Sequence, residues 1–95
     1  MKQKEHPSFK FLREWVMLYG HKEVPDNIAV QDFVICESKE TIKALRAELI
    51  AIKNGNFEQA SLESFLGRSR LAKFNSFQAW AEIMLLWLAE HEKHA

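Results

Sequence analysis

Apolar residues recur along this chain at helical spacing, and the longest such run closes it. Over Phe77 to Glu92, reading FQAWAEIMLLWLAEHE, the residues Phe77, Trp80, Ala81, Met84, Leu85 and Leu88 fall at i, i+3, i+4, i+7, i+8 and i+11. That spacing makes one continuous face of a helix with about 3.6 residues per turn. Ile83 and Trp87 widen the face to an apolar arc of roughly 200°, leaving Gln78, Glu82 and Lys93 on a narrow wet side. A helix of this kind belongs at the centre of a core. Leu86 does not fit the pattern, because it points near the polar side, about 100° from Trp87, where a monomer gains nothing from a leucine.

A second wide apolar face lies near the start. Pro7 or Ser8 opens a helix that ends at Gly20, since proline suits the first helical position and serine can cap it. Phe11, Leu12, Trp15, Val16, Leu18 and Tyr19 cover about half of its wheel opposite Lys10, Arg13 and Glu14. The two broadest faces of a small domain are expected to meet, so the first and last helices should form an antiparallel or crossed pair. Between them Ser38 caps a helix whose stripe is Ile42, Leu45, Leu49 and Ile52 and which stops at Asn54-Gly55. A short helix starting near Asn56 or Ser61 carries Leu62, Phe65 and Leu66 inward as far as Gly67, and Asn75-Ser76 launches the last helix.

Residues 21–38 lack a decisive period. Val24-Pro25-Asp26-Asn27 is turn chemistry, and the β-branched run IAVQDFVIC has no second strand to pair with. The expectation is an irregular loop with a short helical turn, plugging the core with Ile28, Phe33 and Ile35. Cys36 at its end should be a small buried hydrophobe. The fold class is therefore all-α, a bundle of four to five helices with one irregular region. It is a single domain over residues 1–95 behind a loosely held lead at 1–6, for no repeat or linker divides the chain.

Composition narrows the function classes. Apolar residues make up 47% of the chain, too many for intrinsic disorder. Thirteen basic residues against thirteen acidic ones give no net charge, which argues against a protein whose whole surface binds polyanions and removes one protection against self-association. One cysteine, no secretory pattern at the start and no apolar run long enough for a bilayer point to a cytoplasmic protein.

Charge does cluster at Arg68, Arg70 and Lys73, three cations in six residues without an acid. They could contact an anion or nucleic acid, or form a solvated face paired with Glu58, Glu63 or Glu82. The surrounding SLESFLGRSRLAKF resembles a helix-turn-helix in its helix, glycine, helix order, which implies DNA contact. It departs from that pattern at Glu63, where close packing favours a small residue, and at Arg68 and Lys73, where core-facing apolar residues are expected. The cap at Asn75-Ser76 also cuts the second helix to a turn or two, short for reading bases.

Other chemistry is sparse. Glu90 and His94 are an i, i+4 pair beside His91, but two ligands do not make a metal site, and His6 and His21 read as helix-boundary residues. No nucleophile with a base, paired-carboxylate site or phosphate-cradling loop is recognisable, so neither enzyme activity nor a cofactor or small-molecule substrate is expected. The surplus aromatic surface, Trp15, Trp80, Trp87, Phe9, Phe74 and Phe77, points instead to protein partners. The expected function is a small interaction module, self-associating or binding another protein, with Ile83, Leu86 and Trp87 as anchors. The alternative is a polyanion binder using Arg68, Arg70 and Lys73.

Overall fold

The computed structural model describes residues 8–21 and 23–93, so the expected lead at 1–6, a start at Pro7, and His6 and His94 lie outside the described residues. Among the described residues there are six helices and no strand: α1 Lys10–Leu18, α2 Asp26–Cys36, α3 Lys39–Lys53, α4 Gln59–Leu66, α5 Arg68–Phe74 and α6 Phe77–Lys93. The all-α class holds, while the number of helices exceeds the expected four to five.

The extra helix is α2, where an irregular loop is expected. Pro25 precedes it with φ −59° and ψ 144°, and Asp26 sits in the first turn, where its charge suits the helix dipole. Its β-branched residues are weak helix formers, but four consecutive-face residues, Ala29, Val30, Phe33 and Val34, are buried, and α2 packs on α6. Tertiary burial overrides local propensity here. Helical twist then decides the rest: Phe33 plugs the core as expected, whereas Ile28, Ile35 and Cys36 turn outward and are exposed. Cys36 is thus not a buried hydrophobe.

The last helix is central. It lies against α3, α2 and α5, burying Phe77, Trp80, Ala81, Met84 and Leu88. The partner expected for it, α1, instead packs on α3 and α4 and reaches α6 through Trp15, whose ring centroid is 6.3 Å from that of Trp80. The faces of α6 are taken mainly by α3 and α2 instead. The α3 stripe Ile42, Leu45, Leu49 and Ile52 is entirely buried. Ser38 caps α3 by accepting from the Thr41 amide at 3.2 Å, and Ser76 accepts from the Ala79 amide at 3.0 Å at the start of α6. Arg46 in the middle of α3 pairs with Glu92 in the last turn of α6.

Candidate functional site

Two surfaces carry the residues singled out in the sequence. On α6 the helical wheel that buries Trp80, Met84 and Leu88 necessarily turns Leu86 away, and Leu86 is 66% exposed. Ala79, Ile83 and Leu86 follow at i, i+4 and i+7, and the first two are half-buried, so an apolar stripe runs along the outer side of the helix. Trp87 is different: it is half-buried with its ring packed at the edge of the core. The structure therefore separates the three residues, leaving Leu86 solvent-facing, Ile83 intermediate and Trp87 held mainly by the core.

The cationic segment is divided more sharply. Arg68, with a side chain 87% exposed, reaches only Glu63 of α4 at 3.5 Å. Lys73 is exposed and lies over the ring of its neighbour Phe74. Arg70 points inward. Its Nε donates to Asp26 Oδ2 at 3.0 Å, its Nη2 to Asp26 Oδ1 at 2.8 Å and to the Gly20 carbonyl at 2.6 Å, and its Nη1 to the Leu66 carbonyl at 2.7 Å. The guanidinium also sits 5.6 Å from the Trp15 ring centroid. Asp26 completes its own shell by accepting from the Trp80 indole nitrogen at 2.9 Å. The two side chains are only 16% and 13% exposed, so the charge on Arg70 is spent inside the protein in a planar two-bond pairing. Of the sequence-level acids, Glu63 does pair with Arg68, whereas Asp26, 44 residues from Arg70, was not among the expected partners.

Beside this network a groove of about 610 Å³ opens between the end of α1, the 20–26 turn and α4–α5, with Val16, Phe65 and Phe74 as apolar lining and Lys73 and His21 on its wall. Gly20 lies here because nothing larger fits: a Cβ at this position would stand 2.5 Å from the Trp15 ring. The Trp15 indole nitrogen is buried without a hydrogen-bond partner among the described residues, the sort of defect that costs about 1–3 kcal/mol.

A carboxylate that sequence reasoning passed over lies at the start of α1. Phe9 precedes α1 in the left-handed region, φ 57°, and offers no side-chain cap. Glu48 of α3 supplies one from 36 residues away, accepting from the Leu12 amide at 2.7 Å and from the Phe11 amide at 3.2 Å. Glu48 is 9% exposed, and burial pushes its carboxyl above the ordinary value of 4.5. The two backbone donors oppose that rise and the charge of Glu14 adds to it. The available signal was its position inside the Leu45, Leu49, Ile52 stripe, where a charge must have a partner.

Among the described residues no cluster of three or more metal-ligating side chains occurs, and no helix is long and apolar enough to cross a membrane. Compared with protein-family models, curated proteins and solved structures, the chain matches none.

Proposed function

We propose that this protein is a small non-enzymatic interaction module that self-associates through the outer stripe of α6. The observation that carries the reading is Leu86, a large aliphatic side chain 66% exposed on the helix around which the core is built. Ala79 and Ile83 extend it along the helix at spacing suited to a second, symmetry-related α6, and a twofold axis would place each stripe on its own copy. The absence of net charge on the chain leaves little long-range repulsion to oppose pairing.

The magnitude sets what kind of association this is. Burying Leu86 and Ile83 on both copies yields about 3.5–7 kcal/mol, given about 1.5–3 kcal/mol for a fully buried side chain, with Leu86 66% exposed and Ile83 already half covered. Association itself costs about 4–15 kcal/mol in lost freedom. The pairing is therefore weak and concentration-dependent. Sedimentation equilibrium over low to high micromolar protein tests it: a monomer–dimer equilibrium is expected, and Leu86→Asp abolishes it without altering the helical circular dichroism. A monomer at every concentration, or a dimer indifferent to Leu86→Asp, overturns the reading.

The polyanion alternative has less to stand on, since Arg70 is engaged internally and only Arg68 and Lys73 face solvent. Two phosphate contacts correspond to a salt slope of about −1.8 for duplex DNA, so a steeper slope in a binding titration would favour that role instead.

A further inference from the structure

The segment RSRLAKF forms α5, which packs on α6 and α4, and the way it is tied down points to a moving part. None of its seven residues is fully buried, and no side chain caps its start. Gly67 before it has φ 87° and ψ 158°, a region that glycine almost alone occupies, and Asn75 after it has φ 74° in the left-handed region. Both joints therefore lie where backbone direction changes abruptly. Leu71 and Phe74 give the helix a half-buried apolar edge. Its polar tie across the fold runs through Arg70, because Arg68 reaches back only to α4 and Lys73 only to Phe74.

What Arg70 grips is distant in sequence but local in space: Asp26 at the start of α2 and the carbonyl of Gly20 after α1. Asp26 in turn holds the Trp80 indole N–H. We propose that α5 is a latched flap that undocks as a unit about Gly67 and Asn75 while the α2–α3–α6 core stays folded, with the Arg70–Asp26 pair as its latch. The latch is strong in geometry and rests on one side chain. Release takes away the α5 wall of the groove and frees Arg70 to stand with Arg68 and Lys73 as three solvent-facing cations. The flap is independent of pairing through Leu86, which lies about 120° around α6 from Trp80.

The Trp80 indole N–H shares Asp26 Oδ2 with Arg70 Nε and so borders the latch. In the wild-type protein, hydrogen exchange followed by NMR should give this indole N–H a protection factor at least about tenfold below those of the Leu49 and Met84 amides, which open only with the core. Arg70→Gln should lower the protection of the Trp80 indole and of the Ala72 to Phe74 amides by about tenfold or more, with Leu49 and Met84 unchanged. Gly67→Ala should act on the same set, since its added methyl meets no atom within 4 Å and strains only the joint. Exchange of the Trp80 indole in step with the core amides overturns the proposal. So does a uniform loss of protection in Arg70→Gln, or its failure to fold, either of which would make the pair a support of the whole domain.

Discussion

Glu48 offers the sharpest test of how burial and hydrogen bonding compete in this fold. Replacing it with alanine leaves the Phe11 and Leu12 amides at the start of α1 without their acceptor. An unsatisfied buried donor costs about 1–3 kcal/mol. Removing a carboxylate that is itself held out of water offsets part of this, so Glu48→Ala should lose about 2–3 kcal/mol net. In a domain of this size that lowers Tm by roughly 10–20 °C. Glu48→Gln keeps one oxygen for the Leu12 amide and removes the charge, so it should lose about 1 kcal/mol or less at neutral pH.

The sign of the pH dependence separates the two effects. Because burial raises the Glu48 carboxyl above 4.5, the folded protein binds a proton there more readily than the unfolded chain. The stability contributed by the protonated group is fully present below 4.5 and is lost as pH rises through the higher folded value. Wild-type protein should therefore gain on Glu48→Gln as the pH falls from neutral toward 4.5. Urea denaturation of both proteins at several pH values in that window measures the difference. If wild type instead loses ground to Glu48→Gln on acidification, the hydrogen bonds of the ionised carboxylate dominate its burial and the reasoning is refuted.

Tyr19, the single tyrosine of the chain, donates to Glu37 Oε2 at 2.6 Å, and this hydrogen bond, with burial and the Glu37 charge behind it, pushes the phenol well above its ordinary 10.0. Its contribution is present below 10.0 and lost as pH rises through the folded value, so tyrosinate absorbance should emerge only with alkaline unfolding, and Glu37→Gln should bring it back toward 10.0 in the folded protein. Gly20→Ala should cost about 2–3 kcal/mol in a thermal or urea melt, because the buried Trp15 ring must shift to admit the methyl; a neutral Gly20→Ala would show that Trp15 moves freely.

The helical periods of α3 and α6, the caps at Ser38 and Ser76 and the inward faces of both helices were legible in the residues, because 3.6-residue periodicity and capping are local properties. So was the outward direction of Leu86, which follows from the same wheel. The helix over Asp26–Cys36 was not, since its residues prefer extended backbone in isolation and become helical through burial against α6. The exposure of Cys36 follows from that helix and was lost with it.

Long-range polar partners form the other class that periodicity cannot reach. Arg70 reads as one of three equivalent cations in its segment, and Glu48 as an acid in an apolar stripe with no partner in view, until packing brings Asp26 to the one and the start of α1 to the other. Hydropathy along a chain determines which faces must leave water. Which buried charge meets which partner depends on how several such faces close on one another, and only the tertiary structure decides that.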